Sequence, residues 1–419
     1  MTKKTSPKIL MFAPAFPPYA NPEAIVNGKL ALAFQKEGWH IDIISRVVET
    51  SSYDYGSTWN DLWLSLKDKT HETSYSVGGP VYRLFASVID SLKTRHPITG
   101  CRWATHSANM AARLHSKQPY DVILSRSLPD FGHFPALLFA KTSGLPWVAN
   151  WNDAYGVKNP PPAGKGPQAS LGLFHERFLK DVARTARWHT FPSERMRRHI
   201  CQYLGNGTEY GSSTIPHVLL EPYRPTYREK SNVFTLSYAG NLYAERNPSV
   251  FFQALANFVE KKSLDERLRI NILGLEEVNL NNLIKKYHLE KYVTLIGPLS
   301  YIMTLDCCRK SDVLIVLEAP YVEGIYLPSK FVDYVQTGRP ILAISPAMGT
   351  LRDILSVHGG GLAADCTSVE DIVLALEKLY AEWLHGTLDE VYGSHRLYDF
   401  FSVKTVIGLY HTLFSELGI

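Results

Sequence analysis

The 419-residue sequence contains no apolar run that approaches the roughly 20 residues needed to cross a bilayer. It opens on a short polar stretch and a short strand pattern, and lacks the long apolar core of an export signal. The five cysteines include no C-x-x-C pair, so neither a zinc site nor a disulfide framework is indicated. A net charge of +4 is too small to indicate nucleic-acid binding. These absences predict a cytoplasmic protein with no nucleic-acid partner.

Three catalytic signatures are missing as well. The sequence has no Asp-x-Asp pair of the kind that holds a divalent metal, and no G-x-S-x-G nucleophile elbow. Neither Gly274-Leu275-Glu276 nor Gly359-Gly360-Gly361 forms the G-x-G-x-x-G dinucleotide fingerprint. The sequence therefore predicts neither a bound metal nor a dinucleotide cofactor.

The patterns that are present indicate a two-domain α/β protein. A chain of 419 residues exceeds what one core usually holds, and 45% hydrophobic with 20% charged residues is typical of a globular protein. Short apolar runs alternate with helical patterns in two series, which begin near residues 9 and 234. Such alternation predicts two doubly wound parallel sheets. We assign residues 1–220 to the first domain and 221–394 to the second, with a final helical segment, 395–419, that can pack back on the first.

Two stretches do not follow the alternation. Residues 46–106 are predicted to be irregular, and residues 159–167 are dense in proline and glycine. Long loops in compact domains are often lids or binding loops. A surface insertion is the alternative for both.

The most informative segment is residues 327–342. It predicts a loop, a helix opened by Pro328 at its first position, a stop at Gly338 and a new strand. Lys330 and Asp333 are three residues apart and share one face of the first turn. Backbone N–H groups at a helix start carry about half a positive charge and bind anions. A cation for phosphate and a carboxylate for ribose hydroxyls would suit a nucleoside diphosphate; an ordinary strand–helix–strand unit with solvated charges is the alternative.

Three further segments carry motifs that belong with residues 327–342. They are residues 16–28 with the helix end at 36–40, residues 120–123 with 144–148, and residues 238–242. With residues 327–334 and 338–340, they resemble the retaining glycosyltransferases of the GT-B fold, in the family 4 group of bacterial surface-polysaccharide type. The resemblance covers nearly the whole chain. It implies two Rossmann-like domains facing a central cleft, a nucleotide-sugar donor on the second domain, a glycan or lipid-linked acceptor, and retention without metal.

The resemblance also implies roles for individual residues. Asp333 would hold the ribose, and Arg246 and Lys330 would form the diphosphate pair. The family's first acidic donor residue falls on Ile325, so Glu323 is the substitute. Asp153 follows Asn152 where the family has His-Asp, and would orient a sugar hydroxyl. The other implied donor contacts are Asn27, Gly28, Gly240, Asn241, Gly297, Leu299, Pro328 and Ser329.

Each of these roles has a plainer alternative. Arg246 would otherwise be a solvated loop charge, and Asp153 a turn or helix-capping residue. At the level of the whole chain, a non-hydrolysing nucleotide-sugar epimerase or a non-catalytic two-domain sugar-binding protein are the alternatives. The epimerase needs acid–base carboxylates and histidines that the sequence does not let us assign, and the binding protein normally carries an export signal.

A basic cluster indicates contact with the inner membrane face. Arg184, Arg187, Arg195, Arg197, Arg198 and His199 surround a helical segment in which Trp188, Phe191 and Met196 are interleaved. A basic face with apolar residues suits an anionic leaflet, where a lipid-linked acceptor would be met. We expect weak peripheral association; a solvated helix with core aromatic residues is the alternative.

Overall fold

The computed structural model describes residues 6–47, 59–74, 79–127, 130–154, 160, 172–205, 207–220, 231–242, 246–264, 267–274 and 280–419. Apart from Pro160, the stretch at 159–167 lies outside them. The described residues form two compact units. The first lies within Met1–Asn159, Gln168–Val218 and Lys404–Ile419, and the second within Pro160–Pro167 and Leu219–Val403.

The sheet of the first unit is parallel throughout its described strands. The strands are β1 (Lys8–Phe12), β2 (His40–Arg46), β3 (Thr70–Thr73), β4 (Val122–Ser127), β5 (Trp147–Trp151), β6 (Trp188–Phe191) and β7 (Ser212–Thr214). Their order across the sheet is β3-β2-β1-β4-β5-β6-β7. The central strands β1 and β4 are buried on both faces, as expected where helices cover each side.

The helices of the first unit connect these strands. The side chain of Asn21 caps the first helix by accepting the Ala24 N–H at 2.7 Å, and Pro22 follows at its start. The helices are α1 (Pro22–Lys36), α2 (Pro80–Thr94), α3 (Cys101–Lys117), α4 (Phe134–Ser143), α5 (Leu173–Thr185) and α6 (Glu194–Leu204). Strand β3 and helices α2 and α3 lie within or begin in residues 46–106, so the prediction that this stretch is irregular was wrong for its described part.

The basic cluster lies on α5, β6 and α6, and several of its charges are paired. Arg197 and Arg198 both bind Glu194, at 2.7 and 3.0 Å, and Arg184 lies 3.8 Å from Asp181. The interleaved Phe191 and Met196 are buried in the core. In the part of the chain that the structure describes, no helix combines the length and apolarity of a membrane span.

Two buried histidines in the first unit are held neutral. The Ser125 hydroxyl accepts the indole N–H of Trp147 at 2.7 Å and shares a hydrogen bond of 2.8 Å with His133 Nδ1. Trp151 donates to His189 Nδ1 at 3.1 Å. Burial lowers the pKa of His133 to about 3 and that of His189 to about 4. His189 therefore accepts a hydrogen bond that a protonated ring would lose, and both rings are buried where a charge is unfavourable.

We expect this pair to make the first unit sensitive to mild acid. Both folded-state pKa values lie below the unfolded value of 6.5, so each histidine costs about 2 kcal/mol of stability between pH 6.5 and 5. Denaturant unfolding of His133→Asn should show a shallower loss over this range than the wild-type protein. The same change at exposed His385 serves as the control. Parallel pH profiles for the wild-type and His133→Asn proteins would contradict the assignment.

The second unit has its own sheet, which is parallel throughout its described strands. The strands are β8 (Phe234–Ala239), β9 (Leu268–Leu273), β10 (Val293–Leu295), β11 (Val313–Leu317), β12 (Ile341–Ser345) and β13 (Gly361–Asp365). Their order across the sheet is β10-β9-β8-β11-β12-β13. Along the central strand β11, Val313, Ile315 and Leu317 belong to one core and Leu314 and Val316 to the other.

The helices of the second unit cover both faces of this sheet. They are α7 (Ser249–Lys262), α8 (Leu280–Lys286), α9 (Tyr301–Arg309), α10 (Ser329–Val335), α11 (Thr350–His358), α12 (Val369–His385), α13 (Leu388–Tyr392) and α14 (Tyr398–Phe401). The two parallel sheets confirm the doubly wound α/β architecture predicted from the sequence.

The last helix, α15 (Val403–Glu416), returns to the first unit from Lys404 onward. Tyr410 packs edge-on against Phe34 at 5.0 Å between ring centroids, and His411 lies 2.9 Å from Glu37. The preceding Leu397 and Phe401 are instead buried in the core of the second unit. The return therefore begins later than residue 395.

Candidate active site

The strand order of the second unit reverses between β8 and β11. From β8 the chain builds outward through β9 and β10, and from β11 it builds in the opposite direction. In open parallel sheets, ligands bind outside the carboxyl ends of the strands at such a reversal. Gly240 follows β8 and Glu318 follows β11, so both lie at this point.

Three strand ends at this edge finish in glycine. Gly240, Gly274 and Gly297 follow β8, β9 and β10, and all three have positive φ angles. The Gly274 N–H donates to the Gly297 carbonyl at 3.0 Å, and a Cβ on Gly274 would collide with the Gly240 carbonyl. The backbone of Gly240, Gly274 and Gly297 therefore forms a surface, which we call the glycine ledge, that a ligand can approach closely.

Helix α10 carries Lys330 to this ledge. The Lys330 ammonium donates to the Tyr238 hydroxyl at 3.0 Å and lies 4.1 Å from the centre of its ring. Tyr238 in turn donates to the Asn241 carbonyl at 3.1 Å. A Cβ on Gly240 would overlap Lys330 Nζ, so only glycine leaves room for the ammonium. Pro328 is the N-cap of α10, one position earlier than predicted, and Ser329 begins the helix.

The Lys330 ammonium is destabilised in the free protein. Its pKa lies well below the usual lysine value, first because the group is removed from solvent and then because Arg246 adds a second positive charge. An anion bound between these two cations would reverse both effects. Because α10 is only seven residues long, the side-chain charges matter more here than the helix dipole.

Asp333 lies on the same helix face, toward β10. The Tyr301 hydroxyl donates to its Oδ1 at 2.7 Å, and Gln336 Nε2 donates to that hydroxyl at 3.4 Å. Leu299, in the loop after Gly297, packs against the core beneath α10. The half-buried carboxylate of Asp333 is thus fixed beside the loop predicted to flank the nucleobase.

A cavity of about 480 Å³ is lined in part by Arg246. It combines the Arg246 guanidinium and the Glu318 carboxyl with apolar walls and the first turn of α7. Its lining residues are Arg246, Asn247, Ser249, Val250, Phe251, Leu317, Glu318, Ala319, Pro320, Tyr321, Ile344, Cys366 and Thr367. A cavity with apolar walls and few convergent polar groups is typical of a small-molecule site.

Glu318 is the polar group that the sequence analysis did not select. Burial raises its pKa to about 8, and the charge of Arg246 counteracts this only in part. Among the described residues, no hydrogen-bond partner is found for its buried Oε2. At neutral pH the side chain is therefore a carboxylic acid that can donate to a ligand in the cavity.

We expect Glu318→Gln to stabilise the protein. The folded-state pKa of about 8 lies above the reference value of 4.5, so protonating the folded carboxyl costs up to about 3 kcal/mol at pH 7. Glutamine has the same shape and no such cost. The gain in unfolding free energy should grow as pH rises from 5 to 8. If Glu318→Gln and the wild-type protein had the same unfolding free energy at every pH in this range, the raised pKa of Glu318 would be contradicted.

Glu323, the predicted acidic residue, lies on a neighbouring loop outside the cavity lining. The loop is fixed to the segment before α11, because the Gly324 N–H donates to the Met348 carbonyl at 2.9 Å and the Thr350 N–H donates to the Gly324 carbonyl at 2.7 Å. Gly324 also lies close to Glu318, since a Cβ there would be 3.4 Å from Glu318 Oε2. The structure thus brings Glu318, rather than Glu323, into the cavity with Arg246.

In the first unit, Asn27 and Gly28 are internal. Asn27 Nδ2 donates to the Ala15 carbonyl at 2.8 Å and its Oδ1 accepts from Arg126 Nε at 2.6 Å. A Cβ on Gly28 would lie 2.7 Å from the side chains of Pro17 and Trp63. Asn27 is fully buried with both ends of its amide occupied, so any effect on a donor would act through the packing of α1.

Asp153 lies just beyond the end of β5 and is half-buried. Its neighbour Asn152 is buried and donates to Glu23 Oε2 at 2.8 Å. Asn152, which precedes Asp153, therefore bonds to the first turn of α1. The role of Asp153 stays a prediction.

Residues 221–390 match the family described as glycosyl transferases, group 1. The matched range contains the glycine ledge, the cavity and helix α10. The match therefore lies within the second unit. A comparison with curated proteins gave no match.

Solved structures extend the likeness to the whole chain. HepE from Anabaena, in complex with UDP and glucose, is 13% identical with a TM-score of 0.67, covering 98% of this chain and 100% of its own. Sucrose-phosphate synthase from Thermosynechococcus elongatus is 14% identical (TM-score 0.66; 98% and 99% covered). A glycosyltransferase from Rickettsia africae is 13% identical (TM-score 0.65; 98% of each chain). At these identities the likeness establishes the fold, which is GT-B, as predicted.

Proposed function

We propose that this glycosyl transferase moves a sugar from a nucleoside-diphosphate donor to a glycan or lipid-linked acceptor, with retention at the anomeric carbon and without a metal. The observation that carries the proposal is the position of the Lys330 ammonium, against Tyr238 and over Gly240 at the strand reversal. Arg246 supplies a second cation. The complex of the similar HepE with UDP and glucose supports a donor of this class.

The proposed chemistry follows from charge. When the sugar leaves, the nucleoside diphosphate gains negative charge, and fixed cations in a site shielded from water stabilise it. Lys330 and Arg246 repel one another in the free protein, so the diphosphate relieves an unfavourable arrangement as it binds. The backbone ledge at Gly240 allows the phosphates to approach the main chain.

The same arrangement suggests where the other donor parts bind. Asp333 accepts hydrogen bonds from the ribose hydroxyls, and the Tyr301 hydroxyl fixes its carboxylate. Leu299 flanks the base. The sugar occupies the cavity, where the Glu318 acid donates to a hydroxyl and Arg246 borders the phosphates. Asp153 and Glu323 orient the acceptor and the sugar.

We expect Asp333→Asn to weaken donor affinity roughly 10- to 100-fold, because hydrogen bonds to a charged partner contribute about 1.5–3 kcal/mol. The ribose contact exists in both the bound state and the transition state, so KM should rise more than kcat falls. Tyr301→Phe, which keeps the carboxylate and removes the hydrogen bond from the Tyr301 hydroxyl, should have a smaller effect. Unchanged donor affinity with a lowered melting temperature would make Asp333 a structural residue.

A donor screen tests the proposal directly. The full chain is incubated with a panel of nucleotide sugars, with and without glycan and lipid-linked acceptors, and nucleoside diphosphate release is measured. Turnover should persist in EDTA, and NMR of the product should show the donor's anomeric configuration. Turnover that EDTA abolishes and Mn²⁺ or Mg²⁺ restores would remove the metal-free mechanism. Inverted product would remove retention, and no release from any donor would remove the transferase assignment. We place the reaction in the cytoplasm, at the inner membrane face where the acceptor is lipid-linked.

A further inference from the structure

Helix α2 of the first unit presents an apolar stripe to solvent. The residues of the stripe recur at helical spacing over three turns, and their side chains are between 51% and 83% exposed. They are Val81, Leu84, Phe85, Val88 and Leu92. Stripes of this width normally face a core. Within the part of the chain that the structure describes, this stripe remains uncovered.

The opposite side of α2 fixes this orientation. The Cys101 thiol of α3 is 3.9 Å from the Ser87 carbonyl and 3.5 Å from the Ser91 hydroxyl. Just beyond the helix, His96 is buried and lies 3.1 Å from Asp181 of α5. These contacts hold the helix by its small and polar side, so the apolar side points outward.

The exposed charges that α2 and its C-cap residue carry are all positive. Arg83, Lys93 and the C-cap residue Arg95 are exposed, whereas Asp90, the one acidic residue of α2, is buried. An apolar face bordered by lysine and arginine is the pattern of a helix that lies in the surface of an anionic membrane. We propose that α2 is the surface by which this protein docks on an anionic lipid bilayer.

The charges also argue against a second copy of the chain as the partner. In a symmetric pairing centred on Val88, each residue faces the one equally distant on the other side. Arg83 of one copy would then meet Lys93 of the other, and Arg95 would add to the repulsion. An anionic bilayer favours the same charges, each by about fivefold in binding.

The dimensions suit a helix in the plane of the membrane. Fifteen residues span about 22 Å as a helix, too short to cross the hydrocarbon core. The apolar side chains would enter the boundary between headgroups and acyl chains, while Arg83 and Lys93 extend toward lipid phosphates. This differs from the basic cluster on α5 and α6, whose arginines are partly paired and whose apolar residues are internal.

Co-sedimentation of the full chain with vesicles tests the proposal. With vesicles of equal parts phosphatidylcholine and phosphatidylglycerol, the wild-type protein should bind, and binding should fall at high salt and with phosphatidylcholine alone. Leu84→Ser with Phe85→Ser should lower the partition coefficient at least tenfold. Val357→Ser, at an equally exposed apolar residue of the second unit, and Arg184→Ala with Arg198→Ala should change it less than threefold.

Several results would overturn the proposal. The first is that the wild-type protein fails to sediment with anionic vesicles at low salt. The second is that the Leu84→Ser/Phe85→Ser variant binds these vesicles as well as the wild-type protein does. A large drop in melting temperature for that variant would mean that another part of the chain covers the stripe. A concentration-dependent dimer that the variant dissociates would assign the face to a second copy. Nucleoside diphosphate binding, measured on the same samples, keeps this outcome separate from that of the proposed transferase activity.

Discussion

Replacing Lys330 with alanine is expected to lower kcat roughly 10²–10³-fold, the effect of removing one charge-stabilising group from an active site. The ammonium is fixed by Tyr238 over the Gly240 backbone, where the diphosphate of the proposed donor would gain charge. Since the ammonium is unfavourable in the free protein, its removal should not lower the melting temperature. Steady-state kinetics with the donor found in the screen provides the measurement.

The pH dependence of binding gives this prediction a second readout. Since the pKa of Lys330 is lowered in the free protein and an anion raises it, nucleoside diphosphate binding takes up a proton between the two values. In that interval affinity falls as pH rises, by up to tenfold per unit. Calorimetry in buffers of different ionisation enthalpy should detect the uptake in the wild-type protein and not in Lys330→Ala.

Gly240→Ala is the matched test of position rather than charge. Its Cβ would displace the ammonium, and its positive φ disfavours a side chain, so activity should fall while the lysine remains. Near-native turnover in both Lys330→Ala and Gly240→Ala would show that the diphosphate binds elsewhere. Loss in Lys330→Ala alone would mean that the ammonium functions without the ledge.

The sequence was sufficient to predict features that depend on local spacing. The helix at Lys330 and Asp333 follows from a proline, a glycine stop and a three-residue interval, and the alternating sheet architecture follows from repeated apolar runs. Both parallel sheets and the shared face of Lys330 and Asp333 are present in the structure. What could not be predicted depends on contacts between distant segments.

Glu318 illustrates that limit. In the sequence it is an acidic residue after an apolar strand, and only the fold brings it beside Arg246 in a cavity. Conversely, Asn27 looked available for a ligand, but Arg126, 99 residues later, occupies its amide oxygen. Helix α2 is a different case. Its apolar residues recur at helical spacing from Val81 to Leu92, but they lie within the stretch that was predicted to be irregular.

Replacing Arg246 with alanine is expected to cost another 10²–10³-fold in kcat. The residue lines the cavity, and its charge lowers the pKa of both Glu318 and Lys330. Arg246→Lys keeps a charge without the planar fork and should retain more activity than alanine. If Arg246→Ala turned over at the native rate, the residue would be the solvated loop charge considered from the sequence.

The interaction between the two cations makes a stronger test than either variant alone. Arg246 lowers the pKa of Lys330, so Arg246→Ala leaves Lys330 more fully protonated and partly offsets its own defect. Arg246 also lowers the pKa of Glu318, so its removal should shift that ionisation further above pH 8. The double variant Lys330→Ala/Arg246→Ala should therefore lose more activity than the product of the single losses, and the excess should grow with pH. Losses that simply multiply at every pH would mean that Arg246 and Lys330 do not share one anion, and would separate the cavity from the diphosphate site.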